Sequence, residues 1–352
     1  KNENYNQSIK RKLIFYSDNF NNYLKCNIYG KNCIETKLKK KEKVKLINQE
    51  LIDKDGNHLI FVGKRKKGNP SENWIYQEYF FQPNNLKLLE NDVKILKYGQ
   101  PEIKINKNDK KIFIKRSNLN DKVIFSGGNL NDWHIKMEDF SLFKNQYHSG
   151  IDKNNLTGCL NFYDIEVKNL TLVYENSKCE DAINFVRAKG TINNLTITNS
   201  FFDAMDADYS NLKFKDILVN KSMNDCLDFS FGIYEVEKSS ISFCGDKAVS
   251  VGEKSILKIF NSNISDSNSG VVSKDYATVN ISDSKIINTE YCFQAYNKKK
   301  EFSGGQLISN KNYCEFNVKI ALVDKSSKII LNNENFLKFK DSKGIKGVYN
   351  GI

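Results

Sequence analysis

The sequence predicts an all-β fold, a right-handed parallel β-helix, because a pattern of apolar and polar residues repeats every 22 residues from about Ile183 to Phe293. Three-residue blocks begin at that spacing at Ile183, Met205, Leu227, Val249, Val271 and Phe293. In each block the first and third positions are mostly apolar and the middle is mostly polar, which is the alternation of a half-buried strand. A small residue precedes each block, which indicates a tight corner in a stacked coil.

A second apolar cluster follows each block, for example Ile192, Leu195 and Ile197. One strand cannot bury itself, but stacked coils share a continuous core. A leucine-rich repeat has a similar period, yet its regular Leu-x-x-Leu-x-Leu-x-x-Asn frame does not occur in this sequence. A coil of three strands joined by two or three turns fits 22 residues better.

The period divides the chain into three predicted parts. Residues 1–110 do not follow it and are predicted to be a β-rich N-terminal portion, with alternating runs such as Leu59–Val62 and Tyr76–Phe81. Residues 111–330 are predicted to form the right-handed parallel β-helix, and residues 331–352 a C-terminal cap or tail.

The net charge and the hydrophobicity of the sequence limit the classes of partner that we expect. Lys and Arg exceed Asp and Glu, 54 to 42, giving a net charge of +12 that favours a polyanionic partner such as an acidic polysaccharide. We do not expect a nucleic-acid partner, since only the net charge supports one. No stretch of 18 apolar residues predicts a membrane span. Because the chain begins with Lys, we expect a signal peptide or an upstream domain before it, and a secreted, periplasmic or cell-surface location.

The eight cysteines permit disulfides without requiring them. No Cys-x-x-Cys pair occurs, which argues against a zinc site. Cys226 and Cys292 fall in the small-residue column, so we expect them to be compact buried thiols.

Residues 22 apart lie on adjacent coils, about 4.7–4.9 Å apart, so the repeat predicts which side chains share a surface. The central coils bring together five aspartates: Asp203, Asp206, Asp208, Asp225 and Asp228. Lys247, Lys254 and Lys274 lie immediately beyond them. Carboxylates so close repel each other unless some protonate, pair with lysine or share a cation, and oxygen-rich clusters suit calcium.

Two structural interpretations compete with a functional site. Aspartates at coil corners cap neighbouring backbone N–H groups, which suits the column of Asp181, Asp203 and Asp225. Aspartate and lysine can also form ion pairs between coils. Neither interpretation predicts the change from aspartates to lysines within a few coils.

Three successive segments resemble motifs of polygalacturonase-type enzymes in the pectate-lyase-like superfamily. Asn224–Asp228, Gly245–Gly252 and Ser273–Asp275 correspond, coil by coil, to that family's Asp-Asp-Cys, Gly-His-Gly-Ile-Ser-Ile-Gly-Ser and Arg-Ile-Lys motifs. The resemblance covers residues 160–300 and implies a parallel β-helix acting on a polysaccharide. Here Asp246 replaces the histidine, and Val272 and Ser273 replace Arg-Ile before Lys274.

These departures favour lyase or C5-epimerase chemistry on an acidic polysaccharide, with a cation acidifying the proton that a lysine removes. The alternatives are a polygalacturonase-like glycoside hydrolase, which needs two carboxyl groups, and a non-catalytic glycan-binding or adhesin-like rod. The predicted catalytic residues are Asp206, Asp225, Asp228, Lys247 and Lys274. The predicted calcium ligands are Asp203, Asp206, Asp208 and Asp228. The predicted substrate-binding residues are Arg187, Asp208, Glu253, Lys254, Asp275, Tyr296 and Lys298.

Overall fold

A computed structural model of the protein describes residues 87–89, 91–118, 121–139, 156–299 and 301–336, and the backbone of six short strands nearer the N-terminus. The chain divides into two compact units, one of residues 1–80, 149–155 and 351–352 and the other of residues 81–148 and 156–350. In the first unit two three-stranded antiparallel sheets are described: β1 (Leu13–Tyr16), β2 (Asn22–Cys26) and β3 (Ile34–Lys37), and β4 (Lys45–Ile47), β5 (Glu50–Ile52) and β6 (His58–Leu59).

The second unit is the predicted right-handed parallel β-helix, with about nine turns and no helix among its described residues. Strands β7 (Lys87–Leu88), β8 (Lys94–Tyr98) and β9 (Glu102–Asn106) come first. β8 pairs antiparallel with β11 and β9 with β10, so strands before the predicted boundary at residue 111 join the same sheet. The predicted run at Tyr76–Phe81 and the tail beyond residue 336 lie outside the described residues.

Each coil contributes a strand to each of three faces. Face 1 comprises β11 (Lys122–Ser126), β14 (Gly158–Tyr163), β16 (Asp181–Val186), β18 (Asp203–Asp208), β20 (Leu227–Ser230), β23 (Lys247–Gly252), the ends of β25 (Ser262–Lys274) and β27 (Lys285–Tyr296), and β30 (Lys319–Val323). Face 2 comprises β12 (Asn129–Asn131), the starts of β15 (Glu166–Glu175), β17 (Lys189–Ser200) and β19 (Asn211–Ser222), then β21 (Ile233–Val236), β24 (Ile256–Phe260), β26 (Thr278–Ser282), β28 (Gln306–Asn310), β31 (Lys328–Leu331) and the antiparallel β32 (Glu334–Phe336). Face 3 comprises β10 (Lys111–Lys115), β13 (His134–Glu138), the ends of β15, β17 and β19, then β22 (Ser239–Cys244), the starts of β25 and β27, and β29 (Tyr313–Glu315).

The 22-residue register is confirmed on face 1. Ile183 pairs with Met205, Met205 with Leu227 and Leu227 with Val249. The apolar block positions point inward and are buried, and the rings of Phe162 and Phe185 stack with centroids 4.9 Å apart. The polar middle positions therefore point to the outside of face 1, which places the candidate site there.

The expectation of buried thiols is wrong for Cys226 and Cys292. Each forms a disulfide with a cysteine near the end of its own coil. The pairs in the described part of the chain are Cys159–Cys179, Cys226–Cys244 and Cys292–Cys314, with Cα–Cα distances of 5.7, 5.6 and 6.0 Å. The small-residue column suits a disulfide because the end of each coil returns beside the start of its face-1 strand, within the distance that a disulfide spans. No helix in the described residues is long and apolar enough to cross a membrane.

Candidate functional site

The site lies on the outside of face 1, between two apolar clusters that cover the face on either side. Val186 belongs to one cluster, with Tyr98, Ile124 and Leu156, and Val272 packs with Tyr296 and Leu322 in the other. Between them the outward positions of β18 and β20 carry Asp206, Asp208 and Asp228. The structure therefore brings these three predicted residues together.

Asp206 and Asp228 are directly paired across adjacent coils. Asp208 lies two residues beyond Asp206 on the same side of the strand, which makes it the diagonal neighbour of Asp228. Burial raises the pKa of Asp208 to about 7, with the charge of Asp228 adding to the effect. Burial also raises the pKa of Asp206 well above its usual range, and Asp208 and Asp181 raise it further. These carboxyls are thus poised to hold protons near neutral pH.

Lys274 reaches this cluster from two coils away. Its Nζ donates a hydrogen bond to Ser250 Oγ at 2.7 Å and lies 3.6 Å from Asp228 Oδ2. Burial alone would lower the pKa of Lys274, but Asp228 and other carboxylates raise it above its ordinary value. Burial raises the pKa of Asp228, and Lys274 opposes that rise. Lys274 therefore stays positively charged. It is suited to compensate the negative charge of Asp228 and not to abstract a proton.

Gly252 makes room for this lysine. A Cβ on Gly252 would lie 2.8 Å from Lys274 Cε and 3.3 Å from its Cγ. The sequence Ser-Val-Gly at Ser250–Gly252 thus supplies both the hydroxyl that accepts from Lys274 and the gap across which its stem passes.

The column of Asp203 and Asp225 links consecutive coils through backbone hydrogen bonds. Asp203 Oδ1 accepts from the N–H of Asp225 at 2.8 Å, and Asp225 Oδ1 accepts from the N–H of Lys247 at 3.0 Å. In the preceding coil Asp181 accepts a hydrogen bond from the Thr157 hydroxyl. The capping interpretation therefore describes Asp203 and Asp225, which leaves their carboxylates committed to the fold.

Lys247 is buried between two carboxylates. Its Nζ lies 3.3 Å from Asp225 Oδ1 and also pairs with Asp246. Asp246, which stands where the family motif has histidine, was not predicted as a site residue. The 22-residue repeat does not predict its ion pair with Lys247, because the repeat relates residues on adjacent coils and not residues that are adjacent in sequence.

A second ion pair, between Glu253 and Lys299, lies where β23 of face 1 ends. Glu253 is buried, accepts a hydrogen bond from Ser230 Oγ at 2.6 Å and forms an ion pair with Lys299. Burial would raise the pKa of Glu253, but Lys274 and Lys299 lower it below its usual value. Glu253 is therefore an anion held between lysines.

The structure places the predicted substrate-binding residues Asp275, Lys298 and Tyr296 in three different environments. Asp275 is buried, and its Oδ1 accepts from the N–H groups of Lys298 at 2.7 Å and Lys299 at 2.8 Å, which fixes the following loop. The charge of Lys274, followed by burial, lowers the pKa of Lys298. Tyr296 is 1% exposed and packs in an apolar cluster, which does not present its ring to a ligand.

Arg187 and Lys254 lie at the corner that follows face 1. Both have positive φ, 52° and 62°. The Arg187 guanidinium lies 4.5 Å from the Tyr163 ring centroid, and Lys254 Nζ lies 5.9 Å from that of Phe302. These cations border the carboxylates.

The outward carboxylates offer oxygen ligands of the kind calcium prefers. Asp228 Oδ1 and Asn184 Oδ1 are buried and have no hydrogen-bond partner among the residues that the structure describes, and Asn184 is 1% exposed beside Asp206. Yet within the described ranges no group of three or more His, Cys, Asp or Glu side chains is arranged to hold a metal ion.

Comparison with protein-family models, with curated proteins and with solved structures found no match to this chain.

Proposed function

We propose that the protein is a carbohydrate-active enzyme of the pectate-lyase-like kind, and that it hydrolyses an acidic polysaccharide. The observation that carries the proposal is the outward set of Asp206, Asp208 and Asp228, three adjacent carboxyls of which one has a lysine partner. Glycosidases need one carboxyl that is protonated and another that is ionised. Different surroundings are the usual means of separating two such pKa values.

The two roles follow from the contacts. Asp208, with a pKa of about 7, holds a proton at neutral pH and is the general acid that protonates the leaving oxygen. Asp228, whose charge Lys274 compensates, is the base that activates water. The backbone positions of diagonal neighbours on adjacent strands are about 7–8 Å apart, which supports the wider of the two carboxyl separations, about 6.5–9.5 Å, that inverting glycosidases use to hold a water. We therefore propose inversion at the anomeric carbon.

The substrate class follows from charge. The net charge of +12 attracts a polyanion. Arg187, Lys254, Lys298 and Lys299 border the aspartates, and cations there offset the repulsion between substrate carboxylates and the site. The disulfides of three coils support a secreted, periplasmic or cell-surface location, where thiols oxidise.

Elimination or C5-epimerisation is the second candidate, and one observation favours it. Lys298 has a lowered pKa because Lys274 is nearby, and a general base for proton abstraction needs such a lysine. Calcium remains a proposal for this chemistry. If calcium binds, it raises the melting temperature at pH 8 in the wild type but not in Asp206→Asn; equal melting temperatures with calcium and with chelator in the wild type would exclude it.

The test is product analysis with polygalacturonate and alginate. Hydrolysis releases reducing ends without an unsaturated product, elimination produces ultraviolet absorbance, and epimerisation changes the NMR spectrum without cleavage. We expect reducing ends, and a loss of at least 100-fold in kcat for Asp228→Asn and Asp208→Asn. A rod that only binds glycans would give none of these products.

A further inference from the structure

Aromatic side chains stack along the corner that follows face 1. Tyr209 and Phe231 are one coil apart, and each directly follows the outward end of a face-1 strand at Asp208 or Ser230. Their rings are parallel within 2°, with centroids 4.6 Å apart. Tyr209 is 56% exposed, so the stack faces solvent beside the carboxylates.

A loop adds a third ring to this stack. The coil spacing lengthens from 22 to 28 residues after Phe293, which pairs with Ala321. The extra residues place Phe302 with its ring centroid 6.2 Å from Phe231 and 6.3 Å from Tyr276. The Asn297 amide holds the loop by donating to the carbonyl oxygen of Phe302 at 2.6 Å. The loop is thus tied down in a way that fixes Phe302.

Cations lie at both ends of the ring stack. Arg187 occupies the same corner position one coil before Tyr209. Lys254 follows Phe231 by one coil and points toward the Phe302 ring, 5.9 Å from its centroid. An aromatic stack that reaches solvent next to cations suits a ligand that combines apolar surface with negative charge.

We propose that Tyr209, Phe231 and Phe302 form a stacking surface for the sugar rings of a uronic-acid polysaccharide, with Arg187 and Lys254 pairing with its carboxylates. The apolar C–H surface of the sugars packs on the solvent-facing side of the stack, where Tyr209 is the most exposed ring, as apolar surface packs on aromatic side chains elsewhere. The proposal rests on the proposed function, because the bound chain leads from this corner to Asp208 and Asp228. The stack is then the part of the site that holds sugars flanking the cleaved bond.

Phe243 is a matched control. It is also 56% exposed and also has a positive φ, 58° against 50° for Tyr209. It lies in β22 on face 3, next to the last residue of that strand, and no ring contact of Phe243 occurs within the described part of the chain. Its truncation removes a similar exposed ring without touching the stack.

The test measures binding in the Asp228→Asn background, where substrate stays intact, by affinity electrophoresis through gels that contain polygalacturonate or alginate. We expect Tyr209→Ala/Phe231→Ala to weaken binding at least 10-fold, with Phe243→Ala within 2-fold of the parent and single-stranded DNA failing to compete. The proposal is overturned if the parent binds neither polymer, if the double variant binds like the parent, if Phe243→Ala loses as much, or if DNA competes equally.

These variants distinguish a failure of the proposed stacking surface from a failure of the proposed catalytic role. If Asp228→Asn retains full activity while the double variant loses binding, the proposed catalytic role is wrong and the stacking surface stands. If Asp228→Asn is inactive while the double variant binds normally, the stacking surface is wrong and the catalytic role stands.

Discussion

Lys274 Nζ lies 3.6 Å from Asp228 Oδ2, although the two residues belong to coils that are not adjacent. The aliphatic part of the lysine side chain passes over Gly252 on the intervening coil, and its ammonium group donates a hydrogen bond to Ser250 Oγ on the same coil. Because both partners are largely buried, the ion pair sets the ionisation of Asp228 more strongly than a surface pair would. The pair distinguishes Asp228 from Asp206 and Asp208, which is the basis on which we propose Asp228 as the base.

Replacing Lys274 with methionine tests this assignment. Without the ammonium group the pKa of Asp228 rises further, because burial is no longer opposed by the nearby cation. We expect Lys274→Met to lower kcat at pH 7 at least 10-fold and to move the acidic limb of the pH–rate profile to higher pH. Lys238→Met is the control, since Lys238 forms an exposed inter-coil pair with Asp216 at 3.1 Å. An unshifted acidic limb would contradict the assignment.

Gly252→Ala tests the path of the lysine without removing its charge. The added methyl group lies 2.8 Å from Lys274 Cε, so the stem must move and the ammonium group with it. We expect kcat to fall several-fold and the acidic limb to shift in the same direction as in Lys274→Met. Circular dichroism and thermal unfolding verify the fold. A variant that is folded and has the wild-type profile would show that the position of Lys274 is unimportant.

The dependence of stability on pH tests the raised carboxyl pKa values. The pKa of Asp208 is about 7 in the folded protein and its usual value is 3.8. A carboxyl with a raised folded pKa contributes stability that is present below pH ~4 and lost as pH rises through about 7. Asp208→Asn should therefore unfold like the wild type at pH 4 but be more stable at pH 8, by on the order of 1–3 kcal/mol after allowance for solvent screening.

Urea unfolding at the two pH values measures this difference. If the gap between wild type and Asp208→Asn is the same at pH 4 and pH 8, or has the opposite sign, the carboxyl is not held in its protonated form by burial and by Asp228.

The disulfides should stabilise the coils individually. Cys226 and Cys244 are 18 residues apart in sequence, and closing a loop of about that length contributes about 3 kcal/mol by restricting the unfolded chain. We expect Cys226→Ala/Cys244→Ala to lose roughly that free energy of unfolding while retaining the fold. Alkylation of Cys226 or Cys244 in unreduced, denatured protein would contradict the pairing.

The 22-residue period was sufficient to predict the fold and to bring Asp206 beside Asp228, because parallel strands in adjacent coils repeat in register. The period does not report where a side chain points. It left the caps made by Asp203 and Asp225 as one interpretation beside a functional site, and it gave no sign that Lys274 spans two coils. It also grouped Tyr296 with the substrate-binding residues, although Tyr296 packs against Leu322.

The position of Phe302 and the disulfides could not be predicted from the 22-residue period. Phe302 lies in the lengthened coil and has no column partner, so its contact with Phe231 follows only from the folded loop. The cystines join the start of a face-1 strand to a residue 18–22 positions away in sequence, near the length of one coil. The same small-residue column suits either a thiol or a disulfide, and spacing alone does not separate them.

The most direct measurement is a proton NMR time course of polygalacturonate cleavage by the wild type and by Asp228→Asn. We expect the wild type to release first a product whose anomeric configuration is inverted, and Asp228→Asn to slow the appearance of that product at least 100-fold. A retained configuration, signals of an unsaturated product, or equal rates for the two proteins would contradict this expectation.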